Sequence, residues 1–281
     1  MASLRTIIVT GANRGIGRAI CQTLLSDKTI GPVHLVATSR NGDDFGLTRA
    51  HKDHEVSYAK LDIASSDSIH NFVESFKKQH DRLDVLINNA GININAEDTP
   101  ASVTKTLNVN YHGTLQMCQA FLHHLTTTRT HTSRIVNLSS VASSLRAYSP
   151  EVASRFRSIA SQGTLKDLEQ LAHDYDASSP SSAFAEPPRR SYSVSKALVN
   201  GLTAILAREN PSILINACCP GWIDTDMGGI VSPRGTRPPK TAEEGAQVVL
   251  HLAVGEIGDV SGKYWANDSI RAKGLPGVRE W

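Results

Sequence analysis

The sequence predicts a doubly wound α/β fold, a parallel sheet with helices on both faces. Three observations predict it. Short β-branched runs alternate with helix-length stretches through the first 140 residues. The strand runs are apolar throughout, as strands buried on both faces must be. A glycine-rich turn follows the first strand directly and opens a helix, the order of a strand–helix–strand unit. A chain of 281 residues suits one large core better than two independent ones. The expectation is therefore a single domain over 1–281.

The first strand is Thr6-Ile7-Ile8-Val9, and a helix is expected over 18–25. Strands are expected at 34–38 and 56–61. A helix over 65–80 carries Ile69, Phe72, Val73 and Phe76 at helical spacing. Val85-Leu86-Ile87 is a fourth strand, 104–125 a long helix, and 135–138 a fifth strand. Helices near 193–208 and 242–253 flank a strand at 213–218. The 51 residues from 141 to 191 break this rhythm and read as a helical insertion. Ser149-Pro150-Glu151 looks like a helix start, with Pro at the first helical position. Thr164-Leu165-Lys166-Asp167 resembles a capping box, and Leu165, Leu168, Leu171 and Ala172 would form a buried stripe. Ser178–Ser182 and Pro187-Pro188 read as loop.

The charge balance, 29 basic against 27 acidic side chains, argues against nucleic-acid binding, which needs a basic excess. Arg189-Arg190 reads as solvated surface. No apolar run has membrane-spanning length, and no signal-peptide core precedes the first strand. Cys21, Cys118, Cys218 and Cys219 lack paired-CxxC spacing. Free thiols suit a reducing compartment, so the cytoplasm is the expected location. His123-His124 belongs to no metal-ligand pattern, and no metal is expected.

Thr10-Gly11-Ala12-Asn13-Arg14-Gly15-Ile16-Gly17 has the spacing G-x3-G-x-G. Glycines there permit a tight turn and let phosphate approach backbone N–H groups at a helix N-terminus. After the second strand comes Ser39-Arg40-Asn41, with no acid until Asp43 and Asp44. An acid at this place would grip the ribose diol of NAD. Arg14 and Arg40 instead suit a 2′-phosphate, which points to NADP(H). Asp62, with Ile63 beside it, could accept from the adenine amino group. Asn88-Asn89-Ala90-Gly91 lies at the end of the fourth strand, where such sheets bind ligands, although the asparagines also suit a structural turn.

Tyr192 and Lys196 stand at i and i+4, on one helix face. A nearby ammonium lowers a phenol's pKa, which makes the pair a plausible proton donor to a carbonyl oxygen. Asn137-Leu138-Ser139-Ser140 ends the fifth strand and offers a hydroxyl to the same cleft. Asn110 and Gly113 are poor helix formers inside the long helix, so a local break there could bind a water.

These motifs, with Pro220-Gly221, resemble the short-chain dehydrogenase/reductase family in their order and position over nearly the whole chain. The subgroup most resembled is the carbonyl reductases. The features that carry this are the insertion before the tyrosine, Asn216–Trp222, Thr225-Asp226-Met227 and a terminal tryptophan. The resemblance implies a Rossmann-type sheet, NADPH, and reduction of a ketone, aldehyde or quinone. It makes Tyr192 the general acid and Ser140, rather than Ser139, the hydroxyl that binds the substrate oxygen. Lys196 would lower the tyrosine's pKa and hold the nicotinamide ribose, and Asn110 would support a water relay. Pro220, Gly221, Trp222 and Ile223 would line the nicotinamide, with Trp222 also facing substrate and Thr225 contacting the amide. Residues 228–240 match no fixed family pattern, and a substrate lid is expected there. Related plant alcohol dehydrogenases of secondary metabolism imply an alternative, alcohol oxidation with NAD(P). A non-catalytic dinucleotide sensor is a further alternative, one with no need of Tyr192, Lys196 and Ser140. In most relatives the helices holding Asn110 and Tyr192 pair between subunits. The insertion's leucine stripe would cover them here, so a monomer is expected, with a small molecule as its only partner.

Overall fold

Eight strands among the described residues pair into one sheet. They are β1 (Arg5–Val9), β2 (Val33–Ser39), β3 (Glu55–Lys60), β4 (Val85–Asn88), β5 (Arg134–Leu138), β6 (Leu214–Cys218), β7 (Tyr264–Ala266) and β8 (Gly277–Arg279). The computed structural model describes residues 4–94, 98–125, 132–176, 190–229 and 236–281. The order is β3-β2-β1-β4-β5-β6-β7-β8. Every pairing is parallel except β7 with β8. The chain winds one way from β1 to β3, then restarts on the other side of β1 at β4. That reversal opens a crevice at the carboxyl ends of β1 and β4, the place where open α/β sheets bind ligands.

The central strands β1, β4, β5 and β6 are buried on both faces, which is why they carry no polar alternation, whereas the edge strand β3 is only part-buried. Ile7, Val9, Leu35 and Ile87 join one core with helices α1 (Gly15–Ser26) and α9 (Ala242–Val254). Ile8, Val36, Leu86 and Ile135 join the other, with helices α2 (Ser66–Gln79), α4 (Gly113–Phe121) and α7 (Arg190–Glu209).

The single helix expected over 104–125 is interrupted. Helix α3 (Pro100–Leu107) starts earlier, under a reciprocal cap between Thr99 and Ser102, and a π-helical turn at Asn108–His112 separates it from α4. Gly113 sits at that junction because a Cβ there would lie 2.4 Å from the Ile63 carbonyl oxygen. The glycine costs helix propensity and permits the loop after β3 to approach. Helix α1 begins at Gly15, inside the glycine turn, and not at 18.

Within 141–191, helix α5 (Pro150–Gln162) starts as expected, with the Ser149 side chain accepting from Val152 N. Helix α6 (Leu165–Asp176) follows. Thr164 N donates to Asp167 Oδ2 at 2.8 Å, and Asp167 N donates to Thr164 Oγ1 at 3.3 Å. Leu168, Leu171 and Ala172 are buried, with Leu165 partly so. Both helices pack on α7, and α6 also packs on α3. Each buried leucine contributes about 1.5–3 kcal/mol. Gly201 of α7 makes room, since a Cβ there would be 3.0 Å from Leu168 Cδ1. Residues 190 and 191, expected to lie before the tyrosine's helix, form its first turn. The loops expected at 178–182 and 187–188, and Arg189, lie outside the described residues.

Candidate active site

Two groups of residues face each other across the crevice. The first is the turn after β1. Gly11 and Gly15 have left-handed φ values of +64° and +52°. A Cβ on Gly17 would stand 2.2 Å from Gly11 O and 2.5 Å from Asn89 Nδ2. Asn89 Nδ2 donates to the Thr10 and Gly11 carbonyls at 2.8 and 3.1 Å, and Thr10 Oγ1 accepts from Asn89 N and Ala90 N. The side chains around the turn therefore hold its backbone in shape. No side chain caps the N-terminus of α1, so its amide donors and positive dipole end face the cradle. This geometry fits a diphosphate. Asn13 is exposed at the turn, while Ile16 is part-buried against the α1–α9 core.

Arg40 and Asp62, from the ends of β2 and β3, line one groove of about 680 Å³ with Ser65 and Ser68. Asp62 Oδ1 accepts from Ala64 N at 3.0 Å, and Ile63 is buried behind it. Arg14, expected to share the 2′-phosphate with Arg40, donates to Asp226 Oδ2 at 3.1 Å. Both partners are largely exposed, so the pair is weak.

The second group is built on α7 and the end of β5. The Tyr192 phenol lies beside the Ser140 hydroxyl. Ser139 is turned away, with Oγ donating to the Lys196 carbonyl at 3.2 Å. Burial pushes the Tyr192 phenol up to about 12, against a smaller downward pull from Ser140. The expected depression by Lys196 is absent. That ammonium lies 5.8 Å from the tyrosine ring centroid and donates to the Leu138 carbonyl at 2.7 Å. It is 5% exposed, and its own burial draws it down to about 8, which weakens it as a fixed cation.

Asn110 falls within the π-helical turn, at the break the sequence suggested. Its Oδ1 accepts from Ile92 N at 2.8 Å, and its Nδ2 donates to Ile92 O and Ser195 Oγ at 2.9 and 3.0 Å. The side chain is committed to protein partners. Gly91 joins the two groups: a Cβ there would lie 3.1 Å from Asn110 Oδ1 and 3.5 Å from Lys196 Nζ.

The segment after β6 closes the crevice. Pro220 and Ile223 are buried, and Trp222 Nε1 donates to Gly228 O at 3.0 Å. Thr225 comes close to the glycine turn: a Cβ on Gly15 would be 3.3 Å from its Cγ2. A short helix, α8 (Asp226–Gly229), follows. Residues 230–235 of the expected lid lie outside the described residues, but its far end, Lys240, is buried core. A second cleft of about 530 Å³ begins at Val141, beside Ser140, and runs past Arg146, Gly221, Ile270 and Trp281.

Sequence reasoning did not find Lys240, Asp226 or Asn200. Asn200 Nδ2 donates to Ser143 Oγ at 2.9 Å, and Ser143 Oγ donates to Ser140 O at 2.6 Å. The only signal for Asn200 was its spacing, four residues after Lys196 on the same helix face. Asp226 stood in the Thr225-Asp226-Met227 motif with nothing to link it to Arg14, and Lys240 stood only at the end of the expected lid.

The family model described as short chain dehydrogenase matches residues 5–153. Carbonyl reductase [NADPH] 1 of Mus musculus is 34% identical over 269 residues, covering 90% of this chain and 92% of that protein. (+)-Neomenthol dehydrogenase of Arabidopsis thaliana is 32% identical over 286 residues, covering 89% and 91%. The fold is shared with salutaridine reductase from Papaver somniferum, at a TM-score of 0.73 and 22% identity, over 94% of this chain and 99% of that one.

Proposed function

The chain belongs to the short chain dehydrogenase family, and from that premise we propose that it uses NADPH to reduce a ketone, aldehyde or quinone to the alcohol. The observation that carries this reading is the gathering of Tyr192, Ser140 and Lys196 at the carboxyl end of β5, on the same sheet edge as a glycine cradle without side-chain caps.

NADPH supplies a hydride to the carbonyl carbon. Gly11, Asn13, Gly15, Ile16 and Gly17 would hold its diphosphate, and Arg40 its 2′-phosphate, with Asp62 and Ile63 at the adenine. Ala90 and Gly91 would follow the adenosine, and Pro220 to Thr225 the nicotinamide. Arg14 gives one guanidinium nitrogen to Asp226 and would offer its remaining N–H groups to the 2′-phosphate. Ser140 donates to the substrate oxygen and keeps it against Tyr192. A phenol held up at about 12 stays protonated at neutral pH and can give its proton to the forming alkoxide. Lys196, 5.8 Å from the ring centroid, would hold the nicotinamide ribose, and Asn110 fixes the Ile92 loop. Trp222 bounds the substrate side.

A second reading, alcohol oxidation in secondary metabolism, draws on the similarity to neomenthol dehydrogenase and uses the same residues in reverse. The missing acid after β2 favours NADPH and reduction. Among the described residues no helix is long and apolar enough to cross a membrane. The four cysteines are free and buried, which suits the cytoplasm. With α5 and α6 covering α7, a monomer is expected by light scattering, and a dimer built through α4 and α7 would refute it. Assaying ketones, aldehydes and quinones with NADPH and with NADH tests the whole reading. Consumption of NADPH with a carbonyl, and slower consumption of NADH, is expected. No consumption with any carbonyl would overturn it.

A further inference from the structure

Lys240 is a buried charge that no step above uses. It is 2% exposed, and burial draws its ammonium below the ordinary lysine range. A buried ammonium is costly unless its protons are hydrogen-bonded, so its partners indicate its job. Nζ donates to the Pro220 carbonyl at 2.8 Å and to Asn267 Oδ1 at 3.0 Å. Its main-chain carbonyl accepts from Asp224 N at 2.7 Å, and its backbone bridges Ile223. One residue thus grips both ends of 220–224. Between those ends Gly221 is left-handed, with φ +98°. A Cβ on it would lie 2.9 Å from Ile270 O and 3.0 Å from Lys240 Cδ. The lysine stem fills the hollow that the glycine leaves, and Trp222 N is tied to Ile270 O at 3.0 Å on the same side. Plain packing would be served as well by an apolar side chain. An ammonium aimed at a main-chain carbonyl fixes where that carbonyl stands.

We infer that Lys240 is a positioning residue, which sets the placement of 220–224 against the nicotinamide end of the cofactor by anchoring Pro220 to Asn267. This rests on the proposal that the segment lines the nicotinamide. The adenosine end, at Arg40 and Asp62 just past β2 and β3, has no part in these contacts. The two halves of the cofactor should therefore respond differently to loss of the lysine, which a merely structural lysine would not cause.

Lys240→Met keeps the stem and removes the donors. Calorimetry on the full chain would use NADPH and 2′-phospho-ADP-ribose, which has no nicotinamide. Affinity for NADPH is expected to fall by about tenfold, while affinity for the fragment stays within about twofold. Turnover is expected to fall by up to about a hundredfold, as misplacement of a reacting group does. The primary isotope effect from 4-deuterated NADPH should rise as hydride transfer slows. Equal losses for NADPH and the fragment, or turnover like the wild type's, would overturn the assignment. Should Lys240→Met fail to fold, Asn267→Ala decides: the same split at smaller size supports the inference, and unchanged binding and turnover overturn it. A wild-type chain that binds neither ligand overturns the cofactor reading itself, and this inference with it.

Discussion

The phosphate turn and the catalytic corner lie on opposite sides of one crevice and are built on opposite plans. At the turn, Thr10 and Asn89 spend their polar groups on neighbouring backbone, and glycines leave N–H groups exposed. The ligand would meet main chain, and the side chains form a mould. At the catalytic corner the ligand would meet side chains instead, carried on a braced backbone: Asn200 and Ser143 hold the Ser140 carbonyl, and Leu138 O receives Lys196. The difference predicts where a mutation harms binding and where it harms chemistry.

The largest effect is expected from Tyr192→Phe. It removes the phenolic hydroxyl and keeps the ring, so turnover should drop by about 10²–10⁴-fold, with NADPH affinity by calorimetry nearly unchanged. A variant that keeps most of its activity would break the contrast at the catalytic corner. Gly17→Ala attacks the other side. The added methyl meets the Gly11 carbonyl and Asn89 Nδ2, an overpacking cost of about 1–3 kcal/mol. NADPH affinity should fall by about tenfold to a hundredfold, and unchanged binding would show that the turn is no mould. Arg40→Ala should weaken NADPH by at least about tenfold, the loss of a charge-assisted hydrogen bond, and barely change NADH. Equal losses for the two cofactors would remove Arg40 from the 2′-phosphate.

The smallest effect is one of stability. Lys196 titrates near 8 when folded, against about 10.4 for an ordinary lysine. Between those values the unfolded chain binds more protons, so stability from this group rises with pH. Lys196→Met removes the cost of keeping a buried ammonium. Thermal melts should show the variant more stable than wild type below about pH 8, with the gap closing towards about pH 10.4. A gap that is constant with pH would mean that Lys196 is not held below its ordinary value.

The contrast between the two corners also explains what the sequence could disclose. The mould was legible because a glycine has one physical reason to be conspicuous: Gly11, Gly15 and Gly17 stand where φ or space forbids a side chain. The caps of α5 and α6 were legible because Ser149-Pro150 and Thr164 to Asp167 are local patterns. The interruption after Leu107 was visible only through the poor helix formers Asn110 and Gly113, since the contact that requires Gly113, with the Ile63 carbonyl, comes from 50 residues away. Strands β7 and β8 have three residues each, too few for a periodic signal. The Arg14–Asp226 and Lys240–Pro220 contacts join distant segments through side chains whose local sequence is ordinary. The expected lowering of Tyr192 by Lys196 failed because spacing gives a shared helix face but not the burial that governs both groups.

The most direct test follows the hydride. Wild-type enzyme would be given 4-deuterated NADPH and a ketone that it reduces, and the alcohol examined by mass spectrometry and NMR. With deuterium at both C4 positions, one deuterium on the carbinol carbon is expected for each NADPH consumed, and a solvent-exchangeable proton on the oxygen. NADPH consumed without deuterium on that carbon, from either face of the nicotinamide, would contradict it.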